Sequence, residues 1–325
     1  MDTRADGTGR ILITVCGRTH RGRVRSENQD RLLVADLAEG SGVVLLVGVA
    51  ERRTTDERRG SDQRPAAEER RRDSSVGPLR FELTERGAVL LVADGMGGRA
   101  GGARASALAV ASVGRSMADG ASSDASAPDA FVLRLRRALE DANRDIFEEA
   151  SRDLSYAGMG TTATLAGIRG GVVYLAQVGD SRAYLVRGGS AARLTRDQSL
   201  LQDLIDSGVL SERDAQSAPG NKILQALGVR PSVEPVLTYQ ELRRGDVLLL
   251  CSDGLSKVVR DEEILEAARQ ASDCVALCDR LIGLANDRGG PDNITVVVAR
   301  LDGDGLATAD RADPVGRRAF PLPEG

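Results

Sequence analysis

The segment 90–98 places the strongest constraint on how this chain can fold. An apolar run from Leu90 to Ala93 stops at Asp94, and a glycine-rich segment follows. The run is typical of a buried strand. A carboxylate at the end of such a strand loses its hydration, which costs free energy unless a positive group meets it. The glycines beside it allow backbone or a substrate to approach closely.

Three further segments of the chain also reach an aspartate after glycine or a small residue. They are 178–180, ending at Asp180, 251–254, containing Asp253, and 290–293, containing Asp292. A single aspartate of this kind is ordinarily a turn former or a helix cap. Four of them in one chain indicate a shared site.

The composition excludes several classes of function. Hydrophobic residues make up 41% of the 325 residues, enough for a sizeable core, but aromatic residues make up only 2% and tryptophan is absent. This argues against stacking platforms for bases, and a net charge of -4 provides no basic surface for nucleic acid. The N-terminus lacks an apolar signal segment, and the early apolar run 43–50 is too short to span a bilayer. We therefore expect a monomeric, cytoplasmic protein without a membrane or nucleic-acid partner.

Histidine and cysteine usage restricts the chemistry further. His20 is the single histidine and lies near the N-terminus, so we expect neither a histidine-based triad nor a histidine-rich metal site. Cys274 and Cys278 could share one face of a helix, but two soft ligands without a matching cluster make a weak case for zinc. We expect these two, together with Cys16 and Cys251, to be buried, reduced thiols.

The pattern of elements indicates an α+β fold, with strands in hairpins and helices inserted in blocks. Predicted strands are 11–15, 31–35, 43–49, 81–84, 88–93, 161–168, 172–178, 183–186, 246–251 and 294–301. Predicted helices are 103–117, 130–151, 261–269 and 274–286. We expect 81–84 and 88–93 to form one hairpin, and 161–168 and 172–178 another.

The domain organisation follows from the same pass along the chain. Residues 1–10 are an N-terminal tail, and residues 11–302 form one domain. Within that domain, 51–75 is dense in charged residues with almost no large apolar side chain, so we predict a disordered insertion. It is either a solvated linker or a docking element. Residues 303–325 are predicted to be a flexible C-terminal tail.

Carboxylates without a histidine or cysteine cluster suit hard divalent cations such as Mg²⁺ or Mn²⁺. Two such ions close together can generate a hydroxide and hold a phosphoryl group during in-line displacement. The phosphate also needs a positive partner with fork geometry, which arginine supplies. Arg25, five residues before Asp30, is a candidate for that role.

Seven short motifs follow one another along the chain within residues 11–301. They are Arg25-x-x-Asn28-Gln29-Asp30, Ala93-Asp94-Gly95-Met96-Gly97-Gly98, Gly158-Met159-Gly160-Thr161-Thr162, Val178-Gly179-Asp180-Ser181-Arg182, Leu194-Thr195-Arg196-Asp197-Gln198-Ser199, Ser252-Asp253-Gly254-Leu255 and Gly290-Pro291-Asp292-Asn293-Ile294-Thr295. Through them the chain resembles the PPM family, the metal-dependent serine/threonine phosphatases also called protein phosphatase 2C, in its bacterial form.

The resemblance implies a fold and an activity. The fold would be two packed antiparallel β-sheets flanked by α-helices, a four-layer αββα sandwich with the metals at one end. The activity would be hydrolysis of phosphoserine and phosphothreonine by direct attack of a metal-bridging hydroxide, without a phosphoenzyme. Substrates would be phosphorylated proteins, including serine/threonine kinases, as in bacterial signalling.

The resemblance also implies a role for each site residue. Asp94 would bridge two Mn²⁺ or Mg²⁺ ions, the carbonyl of Gly95 would bind the second ion, and Asp253 and Asp292 would complete the first. A second group would act around them: Asp30 would hold metal-bound water, Arg25 would grip the phosphate, and Asp180 would serve a third, weaker ion together with Asp253. Residues 197–228 would form a mobile flap.

Met96 stands, as in bacterial relatives, at a position where eukaryotic members often carry histidine, which predicts a pH–rate profile without an imidazole-type acid. The chain departs from the family pattern at two other places. Gln198 stands where many members have histidine, and the segment between Asp30 and Asp94 is long because of the insertion. None of these changes removes a predicted metal ligand.

Two other functions stay open at this stage. One is a catalytically weak relative that binds phosphoproteins as a regulator, which intact Asp94, Asp253 and Asp292 disfavour. The other is a different two-metal hydrolase such as a nuclease, which the absence of a basic surface and aromatic platforms disfavours.

Overall fold

The computed structural model describes residues 9–38, 44–47, 73–98, 101–119, 128–211, 214, 222–310 and 313–321. The strands in these residues are β1 (Leu12–His20), β2 (Asp30–Asp36), β3 (Val44–Val47), β4 (Asp73–Glu82), β5 (Ala88–Met96), β6 (Gly160–Thr161), β7 (Ala163–Arg169), β8 (Val172–Val178), β9 (Arg182–Arg187), β10 (Ser190–Arg193), β11 (Val236–Glu241), β12 (Val247–Cys251), β13 (Ile294–Asp302) and β14 (Arg318–Ala319). The α-helices are α1 (Gly101–Asp119), α2 (Pro128–Arg152), α3 (Leu200–Asp206), α4 (Asp253–Ser256), α5 (Asp261–Gln270) and α6 (Cys274–Asp287).

The strands form two sheets whose described pairings are all antiparallel. The first sheet has six strands in the order β10-β9-β12-β13-β1-β4. The second has the order β14-β11-β8-β7-β5-β2-β3, with β6 paired to β5. The predicted hairpin of β7 and β8 is confirmed, with Ala163 opposite Val178.

Alternating side chains of the central strands separate the core into layers, because successive residues of a strand face opposite sides of the sheet. Leu90 lies in the core between the two sheets, whereas its neighbour Leu91 packs in a cluster that contains α1 and α2 residues. In the other sheet, Leu250 faces the same inner core, and Leu249 packs with residues of α5 and α6. The predicted four-layer αββα sandwich is confirmed.

One predicted hairpin is wrong. β4 and β5 follow each other in sequence, but β4 pairs with β1 in the first sheet, and β5 pairs with β2 and β7 in the second. The tight turn between them, in which the Gly87 N–H donates to the Thr84 carbonyl at 3.0 Å, therefore connects the two layers. Strand patterns report which residues are buried, but they do not specify the partner strand.

The charged insertion and the tail also differ in part from expectation. Most of 51–75 lies outside the described residues, but 73–75 begin β4. In the tail, β14 pairs with β11, and the Phe320 ring packs edge-on against Tyr174 and Tyr239 at centroid distances of 5.8 and 5.9 Å. Residues 318–320 of the predicted flexible tail are therefore placed against the second sheet. Among the described helices, none combines the length and apolar character needed to cross a membrane.

Candidate metal centre and active site

The predicted aspartates lie at the same end of the sandwich because each follows or precedes a strand at that end. Asp94, near the end of β5, stands directly opposite Asp30, the first residue of β2. Asp253 begins α4 just after β12, and Asp292 lies two residues before β13, which is the neighbour of β12. Asp180 follows the end of β8. Strands far apart in sequence therefore deliver five carboxylates to one place.

A cleft of about 490 Å³ opens at this end. Of the predicted residues, Arg25, Asp94, Gly95, Asp253 and Asp292 line it. The two others, Asp30 and Asp180, are buried, with 0% and 2% of their surface exposed. The structure thus separates the predicted residues into five at the cleft and two beneath the surface.

Asp30 is held by two hydroxyl groups. Its Oδ2 atom accepts hydrogen bonds from Ser252 Oγ and Thr295 Oγ1, each at 2.7 Å, whereas its buried Oδ1 atom has no hydrogen-bond partner among the described residues. Burial raises the pKa of Asp30 to about 7, and the two hydroxyl groups act in the opposite direction. Ser252 and Thr295 were not predicted as site residues, although both stand inside the quoted motifs.

The carboxyl groups of the site disfavour one another's ionisation. Burial is the largest cause that raises the pKa of Asp94 well above its usual range, and the charges of Asp30, Asp253, Asp180 and Asp292 add to it. Burial also raises the pKa of Asp180 to about 7, and the charge of Asp253 contributes. Carboxylates packed in this way stay ionised at neutral pH only when positive charge meets them.

Two basic side chains supply part of that charge. Arg25 Nη2 donates to Asp292 Oδ2 at 2.7 Å, and Lys257 Nζ forms a short ion pair with Asp253 Oδ2. Lys257 lines the cleft and was not predicted. Its signal in the sequence was the spacing of four residues from Asp253, which places both on one face of a helical turn.

The donor set fits hard divalent cations. Asp253 Oδ1 is buried and accepts no hydrogen bond from any described residue. This oxygen atom therefore suits a bound cation. Within the described ranges, no three histidine, cysteine, aspartate or glutamate side chains form a group that could hold a metal ion. Mg²⁺ commonly binds only one or two carboxylates and fills its other coordination positions with water. A cleft that is open to solvent and lined by single carboxylates is therefore compatible with Mg²⁺.

Threonines from the Gly158–Thr162 motif position the backbone of Asp94. Thr162 Oγ1 accepts from the Asp94 N–H at 3.1 Å, and the Thr162 N–H donates to the Asp94 carbonyl at 2.9 Å. The Thr162 hydroxyl also lies 2.7 Å from Ser181 Oγ, next to Asp180. One side chain therefore joins the strands that carry two of the aspartates.

Asn293 fixes the loop that carries Arg25. Its Nδ2 group donates to the carbonyls of Arg21 and Glu27, and its Oδ1 atom accepts from the Gln29 N–H at 2.8 Å. The Arg25 loop and the Asp292 turn are therefore one hydrogen-bonded unit. This explains why the asparagine belongs to the Gly290–Thr295 motif.

The two motifs around Asp180 and Asp197 hold each other. Arg182 makes a bidentate ion pair with Asp197, with Nη2 to Oδ2 at 2.7 Å, and both side chains are largely buried. Gln198 Oε1 accepts from the Gly179 N–H at 2.7 Å and so supports the turn before Asp180. The glutamine at the family's histidine position thus has a defined structural partner.

His20 and Met96 have different surroundings. Met96 lines the cleft, whereas His20 does not. His20 Nδ1 accepts from the Gly22 N–H at 2.8 Å, within the turn after β1. The described cleft therefore contains no imidazole, and the predicted pH–rate profile stays a prediction.

The comparisons with known proteins agree with this geometry. The family described as Protein phosphatase 2C matches residues 66–289, which is most of the chain. The chain belongs to the protein phosphatase 2C family. The serine/threonine phosphatase stp of Listeria monocytogenes is 37% identical over 228 residues, covering 68% of this chain and 88% of that protein. The serine/threonine protein phosphatase PstP of Mycobacterium tuberculosis is 40% identical over 211 residues, covering 65% of this chain but 40% of PstP.

Solved structures share the same fold. The crystal structure of M. tuberculosis PstP/Ppp superposes with a TM-score of 0.67 at 33% identity and covers 90% of this chain and 99% of that one. The PstP catalytic domain in complex with two manganese ions gives a TM-score of 0.66 at 32% identity, with the same coverage. The serine/threonine phosphatase of S. agalactiae gives 0.69 at 31% identity, covering 89% and 99%.

Proposed function

We propose that this chain is a protein serine/threonine phosphatase that hydrolyses phosphoserine and phosphothreonine with two Mn²⁺ or Mg²⁺ ions. One observation carries the proposal: antiparallel strands distant in sequence bring three aspartates to one cleft and two more beneath it, with Arg25 at the rim. Family membership and the PstP catalytic domain with two manganese ions support the same reading.

The proposed metal ligands are the residues whose oxygen atoms face or adjoin the cleft. Asp94 and the Gly95 carbonyl would lie between and beside the two ions, with Asp253 and Asp292 on the first. Asp180 and Asp253 are the candidates for a third, weaker ion. When bound, such ions lower the pKa of a water molecule, so that it can attack, and neutralise charge on the phosphoryl oxygens.

The other proposed roles belong to the protein itself. Arg25 lies at the cleft with 55% of its side chain exposed, so its guanidinium can exchange Asp292 for a phosphate without leaving the rim. A guanidinium matches phosphate with two parallel hydrogen bonds and stabilises charge that develops during transfer. Asp30, anchored by Ser252 and Thr295, would orient the attacking water through its other oxygen.

The partners follow from this chemistry. We expect phosphorylated proteins as substrates, among them serine/threonine kinases that carry such phosphates themselves. We also expect a monomer that acts in the cytoplasm. A phosphoproteome compared with and without the protein would identify the substrates.

A metal-dependent assay on a phosphothreonine peptide tests the proposal. Turnover should require Mn²⁺ or Mg²⁺, and Asp94→Asn should reduce kcat by at least about 100-fold, since it removes a carboxylate that would hold both ions. Asp145→Asn is the matched control, because Asp145 lies on α2 outside the residues that line the cleft, where it is partly exposed and pairs with Arg115 of α1. Metal binding and phosphopeptide binding without turnover would favour the regulator, and DNA cleavage without phosphopeptide turnover would favour the nuclease.

A further inference from the structure

Three of the four cysteines meet where β1 packs against α6. Cys16 lies on β1, and Cys274 and Cys278 lie four residues apart on one face of α6. The Sγ atoms of Cys16 and Cys274 are 2.7 Å apart, and Cys278 Sγ is 3.8 Å from the Cys16 carbonyl oxygen. At most 1% of any of the three is exposed. The proposed phosphatase chemistry uses none of these thiols.

The two sulfurs are placed for bond formation. A disulfide bond is about 2.05 Å long, so the sulfurs need to approach by only about 0.7 Å. The two residues are 258 positions apart in the chain, and their closeness comes from the packing of a helix on a sheet. The two sulfur atoms therefore lie at the contact between β1 and α6, which are far apart in sequence.

The environment distinguishes the two thiols. Cys274 is the first residue of α6, and its backbone N–H and the helix terminus favour a thiolate there. The hydrogen bond shared with Cys16 is the largest cause that lowers the pKa of Cys274; burial and the charge of Asp273 oppose it, and Arg300 acts in the same direction as the hydrogen bond. The same hydrogen bond raises the pKa of Cys16. Because Cys274 stands at the N-terminus of α6 beside the exposed Ser272 and Asp273, its position makes it the nucleophile of the pair and Cys16 the resolving partner.

We propose that Cys16 and Cys274 form a hydroperoxide-sensitive dithiol that closes reversibly to a disulfide between β1 and α6. In the first step, the Cys274 thiolate attacks the O–O bond of a hydroperoxide, giving the Cys274 sulfenic acid and releasing hydroxide, or alkoxide from an organic hydroperoxide. In the second step, Cys16 sulfur attacks the sulfenic sulfur, the S–O bond breaks, and the Cys16 proton leaves with the hydroxyl as water. The two thiols are oxidised by two electrons and the hydroperoxide is reduced.

The start of α6 provides the route for the oxidant. Ser272 and Asp273, immediately before Cys274, are exposed, so Cys274 lies one layer beneath the surface. Opening of the first helical turn brings its sulfur to solvent, and helix ends open more readily than helix centres. Cys278 lies one helical turn further along α6, so its sulfur stays buried when the first turn opens.

The disulfide would connect two elements that lead into the proposed site. β1 ends at His20 and continues into the loop of Arg25, and α6 ends at Asp287 shortly before Asp292. A bond across 258 residues constrains the unfolded chain strongly, so the oxidised form should resist unfolding better. This property is independent of phosphatase activity and is measured without it.

The test uses the full chain with all four cysteines. The reduced protein is treated with hydrogen peroxide, remaining thiols are counted in denaturant, and a digest blocked with iodoacetamide is analysed by mass spectrometry. We expect four thiols before treatment and two after it, with a peptide linked through Cys16 and Cys274. Tm should rise by about 5 °C or more, and dithiothreitol should restore the four thiols and the original Tm.

Matched variants isolate the pair. Cys251→Ala should still lose two of its three thiols, whereas Cys274→Ala should keep all three. If Cys274→Ala does not fold, Cys16→Ala replaces it: Cys274 can then proceed only to the sulfenic acid, so at most one of the three thiols should be lost and no linked peptide should form. The wild-type peptide map tests the pair without either variant. Four thiols persisting in peroxide, or a linkage that excludes Cys16 or joins two chains, would overturn the proposal.

Discussion

At the scale of single residues, two basic side chains offset part of the negative charge of the carboxylates in the site. Asp30 and Asp180 lie beneath the cleft, Arg25 and Lys257 pair with Asp292 and Asp253, and two hydroxyl groups donate to one oxygen of Asp30. Lysine is rare in this chain, which contains only Lys222 and Lys257, yet one of the two stands among the proposed metal ligands. Its ammonium group would therefore compete with a metal ion for Asp253.

Replacing Lys257 tests this competition. Lys257→Met should tighten Mn²⁺ binding by about 3- to 30-fold, because Asp253 loses a partner that the ion must displace and a nearby positive charge is removed. Isothermal titration calorimetry measures the affinity directly, without turnover. Lys222→Met, at an exposed residue in the flap region, is the matched control. Weaker binding in Lys257→Met would mean that the lysine positions Asp253.

The buried Asp30 predicts how stability depends on pH when divalent ions are absent. Its folded-state pKa of about 7 exceeds the ordinary value of 3.8, so the folded protein holds a proton that the unfolded chain releases. Its contribution to stability is present below about pH 4 and is lost as pH rises through about 7, up to about 4 kcal/mol.

Urea unfolding of metal-free protein between pH 5 and 8 measures this contribution. The free energy of unfolding should fall with rising pH in the wild type, and the fall should be smaller in Asp30→Asn, which cannot ionise but keeps an oxygen for Ser252 and Thr295. Equal pH slopes in the two proteins would contradict the assignment.

At the scale of elements, local pattern predicted most strands and helices, and failed where the partner of a strand mattered. The helices 103–117 and 130–151 are observed as Gly101–Asp119 and Pro128–Arg152, since their apolar faces repeat with the helical period. β4 and β5 were paired wrongly because a short turn between two strands ordinarily makes a hairpin. β14 was missed because two residues carry no periodic signal.

The tail strand should contribute to stability without contributing to catalysis. Phe320 donates its N–H to the Leu237 carbonyl at 3.0 Å, and its ring contacts Tyr174 and Tyr239. Phe320→Ala should lower the free energy of unfolding by about 1–3 kcal/mol, since it removes a half-buried ring from an aromatic cluster. Chemical denaturation measures the loss, with Arg317→Ala, at an exposed residue of the same segment, as the control. A change below about 0.5 kcal/mol would show that the tail does not dock in solution.

At the scale of the whole molecule, the proposed active site lies at one end of β12, and a buried ion pair lies at the other end. Arg187 and Asp246 form a bidentate ion pair at the start of β12, with 3% and 0% of their side chains exposed, whereas Asp253 follows the other end of that strand. Arg187 Nη2 also donates to the Glu241 carbonyl at 2.7 Å. The pair therefore joins β9, β11 and β12 far from the cleft.

Breaking this pair should destabilise the fold and spare the site. Arg187→Met leaves a buried carboxylate without its main partner and should cost about 3–5 kcal/mol of unfolding free energy. Arg187→Met combined with Asp246→Leu should recover part of that loss. Both are measured by denaturation, with kcat per folded molecule expected to be unchanged at low temperature. Loss of kcat with stability intact would show that the two ends are coupled.

The sequence by itself determined the family, the strands that end in aspartates and the all-oxygen character of the site, because these depend on residue types at short spacings. Only the tertiary structure decided which strands share a sheet, that Asp30 stands opposite Asp94, that Arg25 pairs with Asp292, and that Cys16 meets Cys274. The reason is physical: strand register, burial and long-range ion pairing join residues that are distant in the chain, and no local pattern encodes that proximity.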